Sequence, residues 1–178
     1  LMIGRAQFSV ATRIETTKAE LEQLAKDLRQ VNYFMQMTIA SKNLRELAMI
    51  IDMYMFEFFG FISSSLCLLD ESKGSITFYE VEENKNEKIY HKKISELSKK
   101  NPILIAIMNN NRAVVINNMS NFHSASSEKD EFMFHHFKSM FILPLKYSDK
   151  RLGCLCLFSN NNIEEKDEYV NKLTSYLN

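Results

Sequence analysis

The chain has no surplus of charge: 22 Lys and Arg offset 22 Asp and Glu over 178 residues, so no global field draws it to nucleic acid or to an anionic membrane. Cysteine is scarce and odd in number, at three, which reads as reduced thiols in the cytoplasm rather than a disulfide scaffold. No Pro- or Gly-rich linker and no internal repeat divides the body of the chain. Long apolar runs are missing too. The nearest, Ile50 to Leu69, is broken by Asp52, Glu57, Gly60 and the serines Ser63, Ser64 and Ser65, and this excludes a bilayer span. No charged segment followed by an apolar stretch and a small-residue cleavage site opens the chain. A phosphate-cradling glycine loop, a nucleophile elbow and a metalloprotease motif are all lacking, so no catalytic residue is assigned.

What remains is enough for one good core. A hydrophobic content of 46% over 178 residues supports a single body and is too little chain for two full domains. Ahead of it, Val10, Ile14, Thr17, Leu21, Leu24, Leu28, Val31, Met35 and Thr38 recur at heptad spacing, with Glu15, Lys18, Glu22, Lys26 and Arg29 on other faces. Such a helix exposes an apolar stripe and is expected to pair with a second copy as a parallel dimer, or else to fold back on its own body. The organisation expected is therefore a dimerisation helix over 1–42 and a globular domain over 43–178.

Within that domain, Leu44, Leu47, Ile50, Ile51, Tyr54, Met55 and Phe58 predict a helix to about Phe59, ended by Gly60 in a left-handed cap. Strands are predicted at Ile62 to Leu69 and Ser75 to Val81, joined by a turn short enough to make them antiparallel, with a third at Ile89 to Ile94. Pro102 to Met108 reads as a short helix opened by proline, Ala113 to Ile116 as a strand, and Asn118 to Glu131 as a long polar loop. A last helix is expected from Glu164 past Leu177, continuing into a C-terminal effector domain of the same protein.

The segment Ser139-Met-Phe-Ile-Leu-Pro-Leu-Lys-Tyr-Ser-Asp-Lys-Arg-Leu-Gly-Cys-Leu-Cys-Leu-Phe158 reads as a closing hairpin. Met140 to Tyr147 and Leu152 to Phe158 are its strands and Ser148 to Arg151 its turn. Gly153, inside the second strand, leaves room for another backbone or a ligand to come close. Side-chain alternation puts Gly153, Leu155 and Leu157 on one face and Leu152, Cys154, Cys156 and Phe158 on the other. The Cys-x-Cys pair places two sulfurs on one face, but no His or Cys lies near it in sequence to complete a metal site, so these residues read as small buried hydrophobes.

This hairpin, S-x4-P-L followed by a charged turn and L-G-x-L-x-L, resembles the closing hairpin of GAF domains, the small-molecule sensor modules of signalling proteins. Leu66-Cys-Leu-Leu-Asp70 and Arg112-Ala-Val-Val-Ile-Asn-Asn118 are similar to the family's first and middle strands, and the likeness spans roughly residues 43 to 177. The resemblance implies an α+β fold, a central antiparallel sheet with helices on one face and a ligand pocket under loops and short helices on the other. It puts Ser65, Cys67 and the cysteine face of the hairpin towards that pocket. Carried over position by position, the ligand contacts of nucleotide-binding members fall on Ser65, Tyr79, Glu80, Ile103, Leu104, Asp130, Met133, Phe137 and Cys156.

The resemblance further implies a small-molecule ligand, with cyclic AMP first, no covalent cofactor and no metal. In that reading the phosphate rests on the backbone of the helix opened by Pro102. Of the Asn-Lys, Phe, Asp-Glu signature frequent in cyclic-nucleotide-binding members, this chain keeps only Asp167-Glu168, with Asn160 in place of the lysine and Ile163 in place of the phenylalanine. His123, His135 and His136 lie where some members hold haem, though as surface or hydrogen-bonding residues they need no such role. The expected protein is a dimeric cytoplasmic sensor that itself turns nothing over and controls an effector, a diguanylate cyclase or histidine kinase by family analogy. Its rivals are a ligand-free GAF dimerisation module and a haem or thiol redox sensor.

Overall fold

The structure, a computed structural model, describes residues 2–73, 75–84, 87–96, 112–119, 137–148, 150–164 and 168–175. They fall into two compact units, Leu1–Ser41 and Lys42–Asn178. The first is a single helix, α1 (Met2–Ala40), extending the heptad pattern at both ends. Ile14, Leu21, Leu24, Leu28 and Met35 on its seam are all more than half exposed, from 53% to 62%. Among the described residues no helix is long and apolar enough to cross a membrane.

The second unit begins with α2 (Leu44–Phe59). Asn43 caps its start by accepting from the Glu46 N–H at 3.0 Å, and the Glu46 carboxylate accepts from the Lys42 N–H at 2.8 Å. The two side chains thereby answer backbone donors that the first turn cannot. Gly60 closes the helix at φ 72°, with its N–H on the Phe56 carbonyl and the Phe61 N–H on that of Met55. This is the left-handed stop expected of a glycine there.

Six strands follow: β1 (Ser63–Asp70), β2 (Ser75–Asn84), β3 (Glu87–Glu96), β4 (Val114–Asn117), β5 (Ser139–Tyr147) and β6 (Lys150–Ser159). A final helix, α3 (Glu168–Ser175), buries Val170 and Leu173. The strands form one antiparallel sheet ordered β3-β2-β1-β6-β5-β4. This is the α+β architecture that the sequence predicts, with β1 and β6, the central pair, brought together from opposite ends of the domain. Between β1 and β2, Asp70 accepts from the Ser72 hydroxyl at 2.6 Å and the Lys73 N–H at 3.2 Å, and the hydroxyl is the main reason its carboxyl is held below its usual range.

Several boundaries differ from the sequence reading, β2 for one running to Asn84 rather than Val81. The hairpin turn is narrower than Ser148 to Arg151, because Lys150 pairs with Tyr147 and Arg151 with Lys146, and a register shift at Leu145/Lys146 absorbs the irregularity. Ser148 turns the chain at φ 54°. β3 runs two residues beyond the apolar stretch Ile89 to Ile94 at each end, since its polar ends still find backbone partners on β2. Glu164, where the sequence reading starts the last helix, is not helical, and α3 is described from Glu168; the preceding Ile163 is held in place by a side chain of β4. Its N–H donates to Asn117 Oδ1 and its carbonyl accepts from Asn117 Nδ2, both at 2.9 Å. The short helix expected from Pro102 to Met108 lies outside the described residues.

Register decides which residues share a face, since directly paired residues on adjacent strands point the same way. One face carries Ser64, Leu66, Tyr79, Phe141, Leu143, Leu155 and Leu157. It meets α2, where the buried Asp52 carboxylate accepts from the Ser64 N–H at 2.8 Å and hydroxyl at 3.1 Å. Phe61, just past α2, stacks on Phe141 with ring centroids 6.4 Å apart. The other face carries Ser65, Cys67, Phe78, Glu80, Met140, Ile142, Cys154, Cys156 and Phe158, nearly all shut off from water.

Gly153 is what lets β1 and β6 come together. Its φ is 144°, and a Cβ there would run into the Cys67 carbonyl, with Leu68 Cα close behind. The approach that the sequence left open to a backbone or a ligand is made by the backbone of β1.

Candidate functional site

The face away from α2 is built in rows. One row crosses the sheet as Glu80 on β2, Ser65 on β1, Cys156 on β6, Ile142 on β5 and Val114 on β4. The next holds Phe78, Cys67, Cys154 and Pro144, and the row on the other side holds Ser63, Phe158, Met140 and Ile116. Two buried polar side chains, Ser65 and Glu80, therefore stand side by side in a wall whose other buried members are sulfur and hydrocarbon. A buried carboxylate and hydroxyl must be hydrogen-bonded to be tolerated, so such groups on an apolar wall mark a place where specific hydrogen bonding is used.

Of the residues singled out from sequence, the register brings Ser65, Glu80 and Cys156 into one row. Phe137 is half-buried at one border of the same core and stacks on Phe158, with centroids 5.0 Å apart and 25° between the rings. Tyr79 is a correction. Being paired with Leu66, it points to the α2 side of the sheet, and the period of two that puts Glu80 on one face necessarily puts its neighbour on the other. No ring at position 79 can stack on a ligand held beside Ser65. Ile103, Leu104, Asp130 and Met133, with His123, His135 and His136, lie outside the described residues, as does Asp167.

The sulfurs form a feature that sequence spacing alone did not reveal. Cys67 pairs across strands with Cys154 and lies diagonally from Cys156. Its Sγ is 3.8 Å from that of Cys156, which is 3.6 Å from that of Cys154, and all three sulfurs lie within 4.8 Å of one another. The Ser65 hydroxyl is 3.7 Å from the Cys67 sulfur. Burial disfavours charge on each thiol, but at Cys67 the hydrogen bonds of Cys154, Cys156 and Ser65 converge to oppose it and hold its thiol below the usual range. Burial then pushes the Cys154 thiol up, and the hydrogen bonds from Cys154 and Cys67 push Cys156 up. Alternation along β1 and β6 does put all three on one side of the sheet. What it cannot supply is that β1 and β6 are neighbours in this register.

No family model matches the chain, and no curated protein matches it in sequence. Solved structures do match in shape. The GAF domain of an Acinetobacter phosphoenolpyruvate-protein phosphotransferase superposes with a TM-score of 0.61 at 17% identity, covering 84% of this chain and 86% of that one. A methyl-accepting chemotaxis protein fragment, residues 122 to 287, gives 0.60 at 12% identity, covering 84% and 93%. The GAF domain of the corresponding phosphotransferase from Coxiella burnetii gives 0.57 at 13%, covering 84% and 89%. The chain has the fold of a GAF domain.

Proposed function

We propose that this chain is the regulatory sensor part of a cytoplasmic signalling protein, and that it binds a small polar molecule on the sheet face away from α2. The observation that carries the reading is the buried Glu80–Ser65 pair set beside Cys156 on that face of a GAF fold. A hydroxyl and a carboxylate offer the ligand both a donor and acceptors, while the surrounding Met140, Ile142 and Phe158 exclude water and so strengthen those bonds. A cyclic nucleotide is the first ligand to test, cyclic AMP before cyclic GMP. Glu80 would then accept from the donor edge of the base or from the ribose, since a carboxylate facing the phosphate would repel it. With Tyr79 on the other face, Phe137 is the aromatic left to pack on a ring.

The output runs through helices in this proposal. The exposed seam of α1 pairs with a second copy in parallel, and a ligand that binds one arrangement of the sensor better than another shifts that pairing and with it a C-terminal effector such as a diguanylate cyclase. The same fold occurring in a chemotaxis protein and in phosphotransferases supports a regulatory role of this kind.

Calorimetry and thermal melting with the two cyclic nucleotides test the ligand. Binding by wild-type protein, weakened by about 1–3 kcal/mol in Ser65→Ala and in Glu80→Gln with the fold intact, is the expected result. Neither heat nor a melting shift from either nucleotide at millimolar concentration rules that ligand out. Light scattering tests the pairing. A wild-type dimer that becomes a folded monomer in Leu21→Asp/Leu28→Asp is expected, because like charges facing each other across the seam cannot be buried together. A wild-type monomer at high micromolar concentration would remove the dimer from the mechanism.

A further inference from the structure

We propose that Cys67, Cys154 and Cys156 form a buried three-thiolate site for a soft monovalent metal ion, Cu(I). These are the chain's only three cysteines, and folding gathers all of them at one point from two strands whose positions lie 87 and 89 residues apart in sequence (154 − 67 and 156 − 67). Three sulfurs bound at about 2.3 Å to one ion stand roughly 4.0 Å apart if they surround it in a plane and about 3.8 Å apart in a tetrahedral arrangement. The observed separations of 3.6 and 3.8 Å, with every sulfur inside 4.8 Å of the others, need only small rotations to reach either.

The donor set selects the ion. Among the described residues no His, Asp, Glu or fourth Cys joins the group, so tetrahedral Zn(II) lacks its fourth side chain, whereas thiolates alone suit Cu(I). Met140, Met119, Phe78 and Phe158 belong to the same buried cluster, a soft apolar shell that keeps water from the ion. On loading, each sulfur that binds the metal gives up its proton to the buffer, three per ion, so binding tightens as pH rises. Full coordination leaves a net charge of two negatives at the site, and the Ser65 hydroxyl beside the Cys67 sulfur is placed to donate towards it. Because all three side chains are closed to solvent, the ion enters most readily as the chain folds. The metal site does not depend on the nucleotide reading but shares Ser65 and Cys156 with it, Cys156 serving as a ligand to the metal rather than as bare pocket floor.

The test is to refold the full chain anaerobically with Cu(I) supplied as its acetonitrile complex, then challenge it with bathocuproine disulfonate. The expected result is one copper retained per chain, three sulfur neighbours in X-ray absorption, and a melting temperature raised by about 5 °C or more. Cys156→Ala should weaken retention by more than about 100-fold, beyond what loss of a supporting group alone costs. Should that variant fail to fold, iodoacetamide labelling of the wild-type chain in mild denaturant decides: all three thiols protected by copper supports the site, and labelling unchanged by copper overturns it. Failure to retain copper, retention equal in folded Cys156→Ala, or stoichiometric Zn(II) in place of Cu(I) would each overturn it as well. Nucleotide calorimetry on metal-free protein reads the other proposal separately.

Discussion

The two faces of the sheet are equally buried and chemically unlike. Towards α2 the wall is Leu66, Tyr79, Phe141, Leu143, Leu155 and Leu157, and the polar pair at its edge, Asp52 with Ser64, joins α2 to β1. Away from α2 the wall holds every sulfur of the three cysteines, together with Ser65 and Glu80. Equal burial therefore does not mean equal purpose. Large branched side chains contribute area and shape, whereas a cysteine adds little area but brings a polarizable atom able to ionise or bind a metal. The first face is built to hold the fold, and the second is where both proposals place their chemistry.

The widest test of that contrast strikes the contact on which both faces rest. Gly153→Ala would push a methyl into the Cys67 carbonyl at a φ that L-residues avoid, parting β1 from β6. A loss of about 4 kcal/mol is expected, or failure to fold, measured by denaturant unfolding. A stability within 1 kcal/mol of wild type would show that the two strands tolerate separation. A smaller effect is expected on the α2 side, where Leu157→Ala leaves a cavity in a fully buried wall and should cost about 3 kcal/mol. Smallest is Cys154→Ala on the other side, expected to cost about 1 kcal/mol in metal-free protein, since only one small apolar atom is removed. If unfolding experiments on metal-free protein give equal losses for Leu157→Ala and Cys154→Ala, the division of labour between the faces disappears. If the Cys154→Ala loss grows only after copper loading, the division is sharpened.

Local signals were legible wherever one residue type sets the backbone. Gly60 ended α2 where the apolar spacing stopped, because a left-handed cap costs glycine little. The hairpin strands and the alternation within them followed from apolar runs around a polar turn, and so did the shared face of Cys154 and Cys156, whereas the family resemblance put Ser65 and Cys67 on that side. The heptad spacing of α1 likewise foretold a helix with one apolar stripe, and in the structure Ile14, Leu21, Leu24, Leu28 and Met35 of that stripe are exposed while Val31 is half-buried.

Other features depended on pairing across long stretches of chain, which no local pattern contains. Tyr79 looked like a pocket ring by its position in a family pattern, and only its pairing with Leu66 shows it on the α2 side. Asn117 was legible only as the end of a strand, yet its side chain holds the backbone of Ile163, 46 positions away. The sequence by itself determined the elements, their faces and a buried population of sulfur, because periodicity and glycine conformation act within a few residues. Only the tertiary structure decided that Cys67 meets Cys154 and Cys156, and that Ser65 stands between Glu80 and Cys156. Strand order and register are set by the closing of loops and the fit of whole faces, a choice among pairings that are alike when viewed along the chain.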